Sequence, residues 1–570
     1  MWSHTHAVED TETIDNVESV EMERAGPEGS STSTMAAMRR RLALVLVCCV
    51  AVAACGDGNN EGVNEGRGTR GTIDDITLHT ADTVVPESTE PTGSDPGSTD
   101  PSSTDPTETG TTTPNDDDPF GWEALAVGLE QGYLEVPLDY ADPTGDTITL
   151  YMVRHLAVDP ATRIGSLLVN PGGPGFGGSG LAFSANFTYG QDLLDRFDIV
   201  GWDPRGTGSS LPAIDCIDDY DAYFGLDSSA DTPQERQALI DAGTAFGESC
   251  ERKNKDLLPF ISTEHSARDM DSIRAALGEE KISYFGFSYG SELGATWATL
   301  FHDTVRAAVI DGAVDPTVDY LHQNIQQAAG FEATFTTFLA QCSAAPVCAF
   351  NNGGDADGAF DRLAAEIDAT PITVHPDRTE VTQGVLTTAV SEAMYDQSSW
   401  PQLEQALADL QAGDGQAILD LYDEYYGYSF GAWDNSLEAY FAIGCLDDPG
   451  STGPDDLYSH EPEFAAAAPR LGRGWMAELT FCSVWPVQPV APFTITGKGA
   501  GPIVVVGTTG DPATPLSSTR NMANALEDGR LVIVTADRHT GYGVNSCVND
   551  TVDGYLLEPT APLADEITCD

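Results

Sequence analysis

A serine flanked closely by glycines, in Gly286-Phe-Ser-Tyr-Gly290, follows a β-branched run and precedes an Ala- and Leu-rich helical pattern. That context suits a nucleophile elbow, a sharp turn that needs small flanking residues and lifts the hydroxyl of Ser288 to the start of a helix. The pentapeptide alone is a weak signal, since a chain with 57 Gly can contain one by chance; the flanking strand and helix strengthen it. A serine nucleophile needs a base, and the base needs an acid to orient it. Asp511, in Gly507-Thr-Thr-Gly-Asp-Pro-Ala-Thr-Pro515, follows the apolar run Ile503–Val506, where the acid is expected. Of the ten His only His539 comes after Asp511, just beyond the last apolar run. Ser288 would attack, His539 would take its proton, and Asp511 would hold the imidazole and stabilise the imidazolium. Asp311 and Asp315, after the run ending at Ile310, are an alternative acid position; Asp537 is nearer His539 in sequence but reads as a loop residue.

Asn170-Pro-Gly-Gly-Pro-Gly175 follows an earlier apolar run. A Gly-rich loop there can turn backbone N–H groups toward a developing oxyanion. The hole is assigned to the N–H of Gly172 or Gly173 together with that of Tyr289. The same loop also satisfies a dinucleotide pattern, Gly173-x-Gly175-x-x-Gly178, with Asp192, Asp195 or Asp198 about 20 residues further on. Pro174 counts against it, because a proline removes an N–H from a loop meant to cradle phosphate. No other cofactor signal supports that reading, so no cofactor and no metal are expected.

These residues need a scaffold. Six short runs, Ser166–Asn170, Asp198–Trp202, Ile282–Phe285, Ala307–Ile310, Ile503–Val506 and Leu531–Val534, are nearly continuous in apolar residues. Strands covered on both faces of a parallel sheet have that appearance. Helical patterns lie between several of them, at Ala267–Leu277, Ser291–His302 and Asn521–Leu526, which is the α/β alternation. About 190 residues separate Ile310 from Ile503, far more than one crossover requires. Helical patterns at Gln326–Ala340, Asp361–Ile367, Gln402–Leu410 and Leu437–Ile443 fill this gap, which reads as a helical lid inserted before the strand carrying the acid. The aromatic stretch Tyr422, Tyr425, Tyr426, Tyr428, Phe430 and Trp433 reads as lid core or hinge. Asp203 and Arg205 read as a structural turn pair.

The chain has 570 residues, with 26 Lys and Arg against 90 Asp and Glu, a net charge of −64. Such a surface repels nucleic acid and anionic lipid. A hydrophobic content of 41% is too high for a wholly disordered acidic chain. Arg39-Arg-Arg41, the thirteen-residue apolar run Leu42–Ala54 and the small residues before Cys55 make a signal peptide at 35–54. Val52-Ala-Ala-Cys55 resembles the lipobox of bacterial lipoproteins, which implies lipidation of Cys55 and a membrane anchor; ordinary secretion is the alternative. Residues 1–34 form a polar extension ahead of that signal, which points to translation beginning at Met35 or Met38. Residues 55–119, rich in Pro, Thr, Ser and Asp, read as a disordered tether. The folded body then divides into α/β core at 120–316, lid at 317–485 and core again at 486–570. With Cys48, Cys49 and Cys55 set aside, eight cysteines remain: Cys216, Cys250, Cys342, Cys348, Cys445, Cys482, Cys547 and Cys569. An even number in an exported chain fits four disulfides. Sequence does not fix their connectivity; nearest neighbours would pair 216–250, 342–348, 445–482 and 547–569. None has CxxC spacing, which disfavours zinc or a redox dithiol.

Gly132-Tyr-Leu-Glu-Val-Pro-Leu-Asp-Tyr140, Asn170–Gly175, Phe197-Asp-Ile-Val-Gly-Trp-Asp-Pro-Arg-Gly-Thr-Gly-Ser-Ser210, Gly286–Gly290, Asp311-Gly-Ala-Val-Asp-Pro316, Cys482-Ser-Val-Trp-Pro486 and Gly510-Asp-Pro-Ala-Thr-Pro515 together resemble the secreted tripeptidyl aminopeptidases, relatives of the prolyl aminopeptidases. The resemblance covers about 132–316 and 440–547. It implies an α/β-hydrolase fold and a serine exopeptidase acting on peptides with free N-termini. It also carries the triad onto Ser288, Asp511 and His539, and the oxyanion role onto the Gly172–Gly173 loop. The chain departs from the pattern at Gly132, where Cys is frequent, at His302, where Pro is usual, and after His539, where Thr-Gly replaces Gly. An aminopeptidase needs a carboxylate for the substrate ammonium; Asp447, Asp448 and Glu292 are the candidates. A monomer is expected. The same machinery would serve a carboxylesterase or lipase, and a catalytically silent binding protein on this scaffold is the reading from another class.

Overall fold

A computed structural model describes residues 118–570. The polar extension, the signal segment with Cys55, and the tether up to residue 117 lie outside the described residues. The body is built on one ten-stranded sheet in the order β1-β2-β3-β5-β4-β6-β7-β8-β9-β10. Its strands are β1 Glu123–Ala126, β2 Leu129–Pro137, β3 Thr147–His155, β4 Gly165–Asn170, β5 Phe197–Trp202, β6 Ile282–Phe287, β7 Val305–Asp311, β8 Ile503–Thr508, β9 Gly529–Val534 and β10 Glu566–Cys569. From β5 to β10 every pairing is parallel, whereas β1, β2 and β3 join as an antiparallel edge. Strands β4, β5 and β8 are buried along their whole length, consistent with their unbroken apolar sequences. The three-stranded antiparallel edge and β10 extend the six strands expected from sequence.

The longer helices, numbered in chain order, are α1 Pro233–Asn254, α2 Thr263–Ala276, α3 Gly290–Leu300, α4 Tyr320–Ala344, α5 Ala356–Ala369, α6 Gln383–Met394, α7 Trp400–Gln411, α8 Gln416–Tyr425, α9 Ser436–Asp447, α10 Gly472–Ser483, α11 Leu516–Ala525 and α12 Ser546–Leu557. Several begin on a side chain that accepts an otherwise orphaned N–H. Thr232 and Glu235 form a capping box at α1, and Asp319 and Thr382 cap α4 and α6. Helices α4 to α10 lie between β7 and β8, the interval read as a helical insertion. Helix α1 is inserted earlier, between β5 and β6, yet it packs on α10: a Cβ at Gly243 would sit 3.2 Å from Phe481 Cα. Phe246 of α1 also meets Phe441 and Phe481 edge to face. The cap therefore has two sources in sequence, and α1 packs with the inserted helices rather than standing apart in the core.

Four disulfides are present: Cys216–Cys250, Cys342–Cys348, Cys445–Cys482 and Cys547–Cys569. This is the nearest-neighbour arrangement. Asp203 and Arg205 are both structural but do not bond to each other. The fully buried Arg205 forms a forked pair with Asp269 at 2.8 and 2.6 Å and donates to the carbonyls of Leu138 and Phe260. Asp203 accepts the N–H groups of Ser179 and Ser209. Among the described residues no helix is long and apolar enough to cross a membrane.

Candidate active site

The parallel pairing brings the ends of β4, β6, β7, β8 and β9 to one edge of the sheet, where ligands of open α/β sheets bind. Ser288 occupies the turn between β6 and α3 with φ +55°, a left-handed conformation costly for a residue with a Cβ. Its N–H donates to the Asp311 carbonyl at 2.8 Å. The flanking glycines are sterically required. A Cβ at Gly286 would collide with the Gly290 carbonyl and the Tyr284 ring, and one at Gly290 would press on Asn170 at 3.0 Å.

The loops after β8 and β9 carry the other two residues, and those strands pair Thr508 with Val534. His539 Nδ1 lies 2.8 Å from Asp511 Oδ1 and 3.0 Å from Oδ2. The Asp511 carboxylate also accepts the N–H groups of Ala513 and Thr514, at 3.0 and 2.9 Å, and the Thr514 hydroxyl at 3.0 Å. Acceptor and imidazole are thus both fixed in place. Burial pulls the His539 pKa down, but the charge and hydrogen bond of Asp511, helped by Asp311, outweigh it and leave the pKa above its ordinary value. Nε2 is buried without a partner. Gly312, next to the residue that holds the Ser288 N–H, packs on the imidazole: a Cβ there would lie 2.8 Å from Cε1. The Asp311–Gly312 turn thus touches both the Ser288 backbone and the imidazole, and no hydrogen bond joins His539 to Ser288. Such contacts commonly tighten only when substrate is bound.

Neither Asp311 nor Asp315 is placed as the acid. Asp311 is fully buried and accepts the N–H groups of Gly541 and Tyr542, both at 2.7 Å, so it pins the loop that bears His539. Asp315 is taken up by Thr317, Gln326 and Asn521. Asp537 packs against Gly510, and the His539 ring pairs with Asp511 instead. The inserted helices hold the same loop: the Tyr395 carbonyl accepts the His539 N–H at 2.8 Å, and Asp396 pairs with Arg538. The chain order of motifs gave no hint of these Tyr395 and Asp396 ties; for Asp311 the only signal was its place at a strand end.

The glycine loop after β4 lies against the elbow, and a Cβ at Gly172 would be 2.8 Å from Ser288 Cβ and 3.1 Å from Tyr289 N. The Gly172 N–H, however, donates to Asn170 Oδ1 at 3.0 Å. It is committed within its own loop, which corrects its candidacy as an oxyanion donor. The N–H groups of Gly173 and Tyr289 have no acceptor among the described residues and border the cavity with Ser288. Gly175 is covered by the backbone of Ser436 and Tyr440, which leaves no room there for a dinucleotide phosphate. No cluster of three or more His, Cys, Asp or Glu among the described residues is placed to hold a metal ion.

Ser288 opens into a cavity of about 520 Å³ between sheet and inserted helices. Six carboxylic side chains line it, Glu264, Glu292, Asp315, Asp319, Asp447 and Asp448, and no Lys, Arg or His does. The three amine candidates meet here in different states. Asp447 accepts the N–H of Thr263 at 3.0 Å and its hydroxyl at 2.6 Å, and burial still pushes its pKa up to about 7. Asp448 caps α4 through the Tyr320 N–H at 3.1 Å and also accepts from Gly450. Glu292, one turn along α3 from the elbow, has no hydrogen-bond partner; burial, then Asp447 and Asp448, raise its pKa to about 8.

Residues 468–569 match the family described as TAP-like protein, and residues 165–351 match the alpha/beta hydrolase fold family. The serine protease Hip1 of Mycobacterium tuberculosis is 35% identical over 451 residues, covering 76% of this chain and 85% of that protein. The chain belongs to the tripeptidyl aminopeptidase-like family of α/β-hydrolases. The tripeptidyl aminopeptidase of Streptomyces lividans is 32% identical over 480 residues, 79% of this chain and 86% of its own length. A protein named carboxylesterase B from Mycobacterium tuberculosis is 36% identical over 447 residues, 75% of this chain and 84% of its own. This family member is a serine hydrolase of the peptidase type.

Proposed function

We propose that this serine hydrolase is an exported aminopeptidase that releases short peptides, tripeptides in particular, from free N-termini. Ser288 attacks the scissile carbonyl, and His539 takes the hydroxyl proton and returns it to the leaving amine. Asp511 holds the imidazole throughout, and the N–H groups of Gly173 and Tyr289 receive the oxyanion. An acyl-enzyme at Ser288 follows, and water hydrolyses it. The observation that carries the reading is the cavity charge: six carboxylic groups line it with no Lys, Arg or His among them, and although Glu264 pairs with Arg268 and Asp319 with His322, Glu292, Asp315, Asp447 and Asp448 have no cationic partner among the described residues. A substrate bearing an ammonium group supplies the missing charge; a neutral ester does not. Glu292, unpartnered and nearest the elbow in sequence, is the proposed ammonium acceptor, with Asp447 behind it. Export, with Cys55 as lipid anchor or the chain released, follows from the Arg39–Cys55 pattern, and the protein works as a monomer.

Two measurements test this. Ser288→Ala should abolish labelling by a fluorophosphonate and all turnover while leaving the unfolding transition in place. Glu292→Gln should raise KM for free-amine peptides by at least ~10-fold, the scale of losing one partner of a desolvated charge pair. The same change should leave N-acetylated amides and short esters unaffected. If wild-type enzyme prefers the blocked or ester substrates, the aminopeptidase reading fails and the carboxylesterase alternative takes its place.

A further inference from the structure

Behind the wall of the catalytic cavity lies a second, smaller chamber of about 40 Å³, and Tyr425 and Trp475 line both spaces. A water needs roughly 10–15 Å³ by such a measure, so the chamber has room for an ammonium-sized group but not for a large one. One charged residue faces it, Glu478 of α10. The chamber is also lined by the hydroxyl residues Ser228, Thr387 and Ser391 and by the aromatic residues Tyr425 and Trp475. Glu478 has no hydrogen-bond or ion-pair partner, and burial alone pushes its pKa up to about 7. A carboxylate so placed is costly unless a cation joins it. Hydroxyl oxygens supply further acceptors for an N–H₃⁺ group, and aromatic faces attract it through their quadrupoles.

We propose that this chamber is a subsite for a compact monocation, either the ammonium head of a lysine side chain on the peptide substrate, reaching past Tyr425 and Trp475, or a free cation of that size. The lysine source rests on the aminopeptidase reading given above; the free cation does not.

The full chain and its Glu478→Gln variant are compared on peptides in which each residue of the released segment is replaced in turn by lysine or by its uncharged isostere norleucine. One position should prefer lysine by about tenfold or more in kcat/KM. Glu478→Gln should erase that preference without lowering turnover of the norleucine peptide. Gly474→Ala provides a second variant that keeps the charge. Its added methyl would lie 2.9 Å from Thr387 Cγ2 and 3.4 Å from Ser228 Oγ, narrowing the chamber, while alanine suits the helix. It should cut the lysine preference several-fold. In a parallel arm, unfolding midpoints are measured in KCl, NH₄Cl and tetramethylammonium chloride at equal ionic strength. Stabilisation by the small cations alone, lost in Glu478→Gln, assigns the site to a free cation. If neither the lysine preference nor the small-cation shift depends on Glu478, the proposal is overturned. A wild-type enzyme that cleaves none of the peptides instead refutes the aminopeptidase reading, and the thermal arm then decides the subsite alone.

Discussion

His539 is subject to two opposed influences, burial that favours the neutral ring and Asp511 that favours the protonated one, and the second prevails. On the proposed mechanism the ring must be neutral to accept the Ser288 proton. The acid limb of kcat/KM is therefore expected above pH 6.5, the ordinary histidine value, with activity rising as pH increases through it. Asp511→Asn should lower kcat by roughly 10³–10⁴-fold. It should also move the residual acid limb to lower pH, because burial then acts unopposed by Asp511. A limb that stays in place while kcat collapses would remove Asp511 from this role. The three candidates can be proposed from sequence because their order, Ser then Asp then His, and their places after predicted strands are properties of a linear string; of these, the structure brings Asp511 and His539 into hydrogen-bond contact. Between Gly172 and Gly173 sequence offers no choice, because whether an N–H is free depends on where the Asn170 side chain turns, and composition does not encode that. The pinning role of Asp311 was hidden likewise, since it depends on two N–H groups some 230 residues away.

At the scale of elements, strands buried on both faces announced themselves by continuous apolarity. The antiparallel edge did not, because β2 and β3 carry Glu130, Glu135 and Arg154 among their apolar positions. Helix α1 escaped notice for a similar reason, since Leu239, Phe246 and Cys250 are its few large buried residues in a mostly polar stretch. The insertion between β7 and β8 was legible from length alone, but its partnership with α1 is a tertiary fact. Helices α9 and α10 bring Asp447 and Trp475 to the cavity, and Cys445–Cys482 ties them together. Replacing both cysteines with serine should lower stability by about 2–4 kcal/mol in chemical denaturation. Because both helices contribute cavity residues, KM should change more than kcat. The Tyr422–Trp433 stretch divides its duties. Tyr425 lines the cavity, Trp433 stacks on Tyr220, and Phe430 stands exposed.

For the whole molecule, charge is the leading property. Beyond residue 118 the chain holds 67 acidic and 20 basic residues, and only four of its residues are lysine. A field of that sign draws cationic substrates inward, and its reach shrinks to about 8 Å at physiological salt. On the proposed reading, kcat/KM for free-amine peptides should fall several-fold between low and high NaCl, while neutral esters show a flat profile. A flat profile for both would confine charge recognition to the cavity and leave the surface as a solubility device.

The inserted helices are fastened to the core on two sides of Ser288: Gly175 lies under Ser436 and Tyr440, and Tyr395 and Asp396 hold the His539 loop. Lifting them would disturb the glycine loop and the imidazole together, which favours a substrate that threads in over one that needs the helices to swing away. A frayed chain end can pass such an opening and a folded surface cannot. On the proposed reading, an enzyme built this way spares folded neighbours and takes the loose chain ends that an endopeptidase leaves behind.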